Sequence, residues 1–211
     1  MNILIYGKSG SMGQVLSSII SADDSLHEAD VQMQPDVIID FSSPQALDEV
    51  LNLAIAKSCP LVIATTGYTE QQLADIQLAS KKIPVFQSSN FSIGIYLMQK
   101  ALDTLLSRMK QPYDVHLIDI HHNKKKDAPS GTAKMLASSM SAHKPLDEIQ
   151  TVSLRSGSVV GEHQVSIQWN QESLTLTHQA QSKEVFAFGA IAAAQFLVQQ
   201  PIGYYTMDDL F

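Results

Sequence analysis

Residues Asn2–Gly13 read NILIYGKSGSMG. Asn2–Tyr6 is a short apolar run of β-forming residues, and Gly7-Lys8-Ser9-Gly10-Ser11-Met12-Gly13 follows at once. Val15, Leu16, Ile19 and Ile20 then recur at helical spacing. A buried strand that turns through glycines into a helix brings backbone N–H groups and the positive end of a helix up to a pyrophosphate. The spacing is G-x-x-G-x-x-G rather than the commoner G-x-G-x-x-G. The loop therefore points to nucleotide binding through its place between strand and helix more than through spacing alone.

Working outward, Asp36–Phe41 (DVIIDF), Leu61–Thr65 (LVIAT) and Ile83–Gln87 (IPVFQ) are further strands of the fully buried kind. Between them, Ser42-Ser43-Pro44 starts a helix with proline at its first position, and Thr69 with Gln72 has capping-box spacing. Strands alternating with helices predict an α/β unit with a Rossmann-like parallel sheet. Strand ends at Gly7, Phe41, Thr65 and Ser88 carry mostly small or polar residues, and in open parallel sheets that edge holds the ligand. Asp23–Gln34 (DDSLHEADVQMQ) is where such a unit supplies its second strand and a ribose-reading acid. It shows no strand pattern, and Asp30 is in range but in a loop-like setting.

After Ser92 the pattern changes. A helix with Ile95, Met98, Leu102, Leu105 and Leu106 on one face precedes strand-like runs at Val115–His121, Thr151–Arg155, Gln164–Trp169 and Ser173–Gln179. Several alternate with period two, predicting an α+β unit with a mostly antiparallel or mixed sheet. Ser182–Val198 is a final apolar helix, and the tail with Gly203-Tyr204-Tyr205 is expected to pack back on the first unit. The expected division is residues 1–90 with 184–211 for the nucleotide, and 91–183 for substrate and oligomerisation.

The chemistry concentrates in Val115–Ala133, VHLIDIHHNKKKDAPSGTA. A strand ends at His121-His122, three lysines follow, and Ser130 is placed to cap a helix starting at Gly131 and Thr132. Imidazoles, ammonium groups and a helix N-terminus gathered this closely make a pocket for an anion that also receives a proton. Tandem histidines are read as surface residues, a metal pair or a proton-transfer pair. Their opposite faces, and the lack of an accompanying carboxylate or thiol cluster, argue against a metal. Lys124 and Lys126 are expected on a solvated face. Asp127 is expected to form a turn, and His27, His143, His163 and His178 to be structural or solvent-facing, with His163 the one that can lie near the site.

The composition bounds the rest. The chain has 211 residues, 45% hydrophobic and 17% charged, with a net charge of −7, which argues against nucleic acid or an acidic membrane as partner. The single cysteine, Cys59, excludes an intramolecular disulfide and a thiolate zinc cage. With no signal-like leader and no long apolar run, a cytoplasmic location is expected.

With the glycine loop, DFSSP (Asp40–Pro44), TTGY (Thr65–Tyr68), SSNFSIG (Ser88–Gly94), HHNKKKDAPSGTA (His121–Ala133) and RSGSVVGEH (Arg155–His163), nearly the whole chain resembles the 4-hydroxy-tetrahydrodipicolinate reductase family, formerly called dihydrodipicolinate reductases. The resemblance implies hydride transfer from NADH or NADPH to a cyclic unsaturated imine dicarboxylate on the diaminopimelate route to lysine, by a homotetramer built largely through the substrate-unit sheets. It implies that His121 is the general acid or base and Lys125 the proton donor, with His122, Ser130, Gly131 and Thr132 at the substrate. It places Gly7, Lys8, Ser9, Gly10, Ser11, Met12, Phe41, Ala64, Thr65, Thr66, Ser88, Ser89, Asn90 and Phe91 at the cofactor, and it implies no metal. Ser11 stands where many members carry arginine, Lys8 being a partial substitute, and Ala64 replaces a usual glycine. Another two-domain amino- or imino-acid dehydrogenase, or a non-catalytic nucleotide sensor, are the alternatives.

Overall fold

A computed structural model describes all residues, Met1–Phe211, and divides them into two compact units. The first comprises Met1–Ser92 with Lys183–Phe211, and the second Ile93–Ser182.

In the first unit β1 (Asn2–Tyr6), β2 (His27–Glu28), β3 (Val37–Asp40), β4 (Leu61–Ile63), β5 (Pro84–Gln87) and β10 (Gly203–Tyr205) form one parallel sheet in the order β10-β5-β4-β3-β1-β2. The helices are α1 (Ser11–Ser21), α2 (Leu47–Ala56), α3 (Glu70–Ala79), α6 (Glu184–Leu197) and the short terminal α7 (Met207–Leu210). Both faces of the sheet are covered, which is why VIID and LVI show no polar alternation. Leu4, Ile38, Leu61 and Val85 pack with Leu47, Val50 and Ile76 of α2 and α3. On the other face Phe86 meets Phe196 of α6 edge-on, ring centres 6.3 Å apart. Helix α6 comes this close because Gly189 has no side chain: a Cβ there would lie 1.7 Å from the Phe91 carbonyl oxygen.

Two readings change here. The segment expected to lack a strand holds β2, whose His27 and Glu28 pair with Asn2 and Ile3. Two residues are too few to show a period. The Gly203–Tyr205 tail is not merely packed on the unit but is its edge strand, paired with Pro84–Phe86.

The second unit has β6 (Asp114–His121), β7 (Ile149–Arg155), β8 (Gly161–Trp169) and β9 (Glu172–Ala180), in the order β7-β6-β8-β9. The sheet is mixed: β6 and β7 run parallel, joined through α5 (Gly131–Met140), and the other pairs are antiparallel. Helices α4 (Ile93–Leu106) and α5 cover one face, where Ile95, Met98 and Leu102 meet Val115, Leu117, Leu136 and Val165.

Candidate active site

In the first unit the predicted nucleotide residues share one sheet edge. Gly7, Phe41, Ala64 and Ser88 directly follow β1, β3, β4 and β5, which are neighbours in the sheet. Gly7 adopts φ +84°, and a Cβ there would lie 2.7 Å from the Phe41 carbonyl oxygen. A Cβ on Gly13 would lie 2.3 Å from the Gly7 carbonyl oxygen, so only glycine lets α1 press against the loop. Gly10 caps α1 without a side-chain oxygen, and the first turn carries no acid. The positive helix end is thus left for an anion, and these residues fit a dinucleotide pyrophosphate. Beyond Phe41, Ser88 and Phe91 take part locally: the Ser88 hydroxyl donates to the Asn90 carbonyl at 2.7 Å, and the Phe41 and Phe91 rings lie 6.5 Å apart.

Sequence reasoning missed two charged residues at this edge. Glu28, ending β2, accepts from the Ser17 hydroxyl at 2.7 Å and is ion-paired with Lys8. Burial alone would raise its pKa, but hydrogen bonds from Lys8 and Ser17 hold it below the usual range. Lys183 donates to the Ser11 hydroxyl at 3.1 Å, placing a cation beside the glycine-loop serine. Only the fold discloses that pair, since the two residues are 172 positions apart.

In the second unit strand register builds the site. On the helix-covered face the period of two takes β6 from Val115 and Leu117 to Asp119 and His121. Their partners pass likewise from Ile149 to Ser153 and Arg155 on β7, and from Ile167 and Val165 to His163 and Gly161 on β8. One end of that face is a hydrophobic core and the other a buried polar cluster.

Asp119, fully buried, is the hub. Its Oδ2 accepts from the Ser130 amide at 3.0 Å, the Ser153 hydroxyl at 3.1 Å and the Arg155 guanidinium at 3.4 Å. Its Oδ1 stands 2.8 Å from His121 Nδ1 and 3.4 Å from His163 Nε2. Burial raises the Asp119 pKa, but the Ser130 bonds, the His121 charge and Ser153 outweigh it, and the carboxyl is held below its ordinary value. His121 is shifted downward by burial first and by the Lys125 and Arg155 cations, with Asp119 opposing. Burial drives His163 down to about 4. Both imidazoles are therefore neutral near pH 7.

Ser130 caps α5 as predicted, its hydroxyl accepting from the Ala133 amide at 3.1 Å and lying 3.2 Å from His163 Nε2. Gly131 opens the helix in free space, with Thr132 beside it. Lys125 reaches Asp127 at 2.8 Å, and Arg155 also donates to the Asp127 carbonyl, bracing the loop that carries the lysine. Lys124 and Lys126 are exposed, and His122 is half-buried.

Two sequence readings are corrected. A carboxylate does accompany the histidines: Asp119, two residues before His121 and so on the same strand face. His163 is inside the cluster, four-hundredths exposed, rather than structural or solvent-facing. Asp119, His121 and His163 offer three ligand atoms within 4.8 Å of one another. The Arg155 and Lys125 charges oppose a further cation, and the 2.8 Å contact is a close charge–ring approach between Asp119 and His121. The period-two rule, applied backward from His121, was the available signal for Asp119.

A glycine-loop parallel sheet with a second unit bearing buried acid–base groups defines the class of two-domain nicotinamide-dependent oxidoreductases. Residues 21–91 match the family described as "Dihydrodipicolinate reductase, N-terminus", and residues 94–211 match "Dihydrodipicolinate reductase, C-terminus". The 4-hydroxy-tetrahydrodipicolinate reductase of Exiguobacterium sp. is 38% identical over 240 aligned positions, covering 100% of this chain and 96% of that protein. That of Alkaliphilus oremlandii is 35% identical, covering 100% and 98%. A solved dipicolinate-bound dihydrodipicolinate reductase from Paenisporosarcina sp. TG-14 shares the fold, with TM-score 0.85 at 22% identity over 98% of this chain and 97% of that one. The chain belongs to the dihydrodipicolinate reductase family.

Proposed function

We propose that the protein is a 4-hydroxy-tetrahydrodipicolinate reductase, reducing a cyclic unsaturated imine dicarboxylate with NADH or NADPH. The observation that carries this reading is the cationic cradle of the second unit. Lys125, Arg155 and the positive end of α5 gather around buried His121, matching two carboxylates and a site that must receive a proton.

When bound, the reduced nicotinamide supplies a hydride. The chain's own residues do the rest. Gly7–Met12, Ala64–Thr66 and Ser88–Phe91 with Phe41 bind and orient the nucleotide. His122, Ser130, Gly131 and Thr132 hold the dicarboxylate, and the charge-assisted bonds contribute roughly 1.5–3 kcal/mol each. Lys125 donates a proton to the negative charge that hydride transfer would leave on the substrate, and His121 serves as the general acid or base beside it. Glu28 is placed to accept from ribose hydroxyls and Lys8 to meet a 2′-phosphate, so both nicotinamides are used with weak discrimination. The reaction belongs to the diaminopimelate route to lysine, in the cytoplasm.

We further propose a homotetramer joined through the second unit's open sheet face. Ile118 and Ile120 of β6 line that face with Val152 and Leu154 of β7, and the latter two are 52% and 47% exposed. An apolar patch on β6 and β7, beside polar Glu162, Gln164, Thr175 and Thr177 of β8 and β9 on the same face, suits a second copy.

A substrate panel tests the activity. Turnover of the cyclic imine dicarboxylate with either nicotinamide is expected, and tight binding of dipicolinate. Turnover of an unrelated keto acid with none of the cyclic imine contradicts it.

A further inference from the structure

We infer that Asp119 is a positioning residue that couples the proton-handling imidazole to the carboxylate-binding helix end. A buried carboxylate needs its lone pairs satisfied, and Asp119 divides them between two tasks. Oδ1 faces His121 Nδ1 at 2.8 Å. Oδ2 takes the Ser130 amide, the residue immediately before Gly131 and Thr132, together with Ser153 and Arg155. One side chain thus fixes both the ring of the candidate acid–base residue and the first turn of α5. Arg155 extends the same support to the Asp127 carbonyl, and so to the loop holding Lys125.

The orientation is functional as well as structural. With Nδ1 turned to Asp119, the opposite ring nitrogen faces Gly161, where a Cβ would lie 3.0 Å from Nε2. Glycine at that position leaves the working edge of the ring open. The Nδ1–Oδ1 approach is close but oblique, so the carboxylate acts on the ring chiefly through its charge. The charged and titratable groups facing His121 are Asp119 on its own strand, Arg155 from β7, His163 from β8 and Lys125 from the loop. Among these only Asp119 is anionic, so its charge alone opposes the downward pull of burial and the two cations on the imidazole.

The experiment compares wild type, Asp119→Asn and Asp119→Glu by two readouts. Histidine-selective NMR titration follows His121 with no substrate present, and steady-state kinetics on the cyclic imine follow turnover. The kinetic arm rests on the reductase reading and the titration arm does not, so failure of one is distinguishable from failure of the other. In Asp119→Asn the His121 midpoint is expected to fall, with turnover down at least about tenfold and the acidic limb of its pH profile displaced the same way. Asp119→Glu, which keeps the charge, is expected to return the midpoint toward wild type and recover part of the rate. Should Asp119→Asn not fold, the Glu variant alone decides: a midpoint near wild type supports the assignment and a displaced one overturns it. An unchanged His121 midpoint in folded Asp119→Asn, or equal losses in both variants, overturns it as well.

Discussion

The Lys8 ammonium is ion-paired with the Glu28 carboxylate, which also accepts from the Ser17 hydroxyl at 2.7 Å. A glycine-loop cation and a β2 acid thus neutralise one another where the adenosine ribose of a dinucleotide is expected. Glu28→Ala should lower kcat/KM for NADH more than for NADPH, and Lys8→Ala should do the reverse, each by about tenfold. Initial-rate kinetics with both cofactors check this. A large wild-type preference for either nicotinamide contradicts the proposed balance.

Gly161 controls the space beside His121. A Cβ at 3.0 Å from Nε2 requires the ring to give by a few tenths of an ångström. Gly161→Ala should therefore lower kcat by about tenfold while leaving the circular dichroism spectrum and dipicolinate binding near wild type. Unchanged kcat would show that the ring is not held against β8.

Acid should destabilise the fold in a window set by the buried histidines. His163 titrates at about 4 when folded, against about 6.5 unfolded, and burial pulls His121 and His178 in the same direction. Between those values the unfolded chain binds more protons, so stability rises with pH through that range and declines as pH falls from 6.5 towards 4. Asp119, held low, adds a loss only at more acid pH, as its carboxylate is protonated. Denaturant unfolding from pH 7 to 4.5 checks this, and His163→Asn should flatten the slope while lowering stability overall.

The exposed side chains of Val152 and Leu154 make the assembly testable. If this face joins the proposed homotetramer, replacing both with glutamate should lower the sedimentation mass below that of wild type without loss of secondary structure. An unchanged sedimentation mass would contradict the proposed interface.

Both sheets and the motif residues around His121 were legible because their signals are local. Uninterrupted apolar runs marked β1, β3, β4 and β5, the short apolar run of Val115, Leu117, Ile118 and Ile120 marked β6, the period of two in Leu174, Leu176 and His178 marked β9, and Ser130 and Thr69 marked two helix starts. Missed features depend on partners distant in sequence. Strand β2 exists because His27 and Glu28 find β1, not because two residues carry a pattern. Asp119 drew no reading of its own in VHLIDIH, and only register sets it opposite His163 and Ser153. A charged residue on a core-facing strand position is intelligible only with its buried partners, and those on other elements lie from 11 positions away, at Ser130, to 36, at Arg155, and further still at His163.

The most direct measurement of the central claim is steady-state turnover of the cyclic imine dicarboxylate by wild type, His121→Gln and Lys125→Ala. If these two side chains deliver the proton within a carboxylate-binding cradle, each variant loses at least about 10²-fold in kcat while still binding dipicolinate. Near-normal turnover in both folded variants would contradict the account.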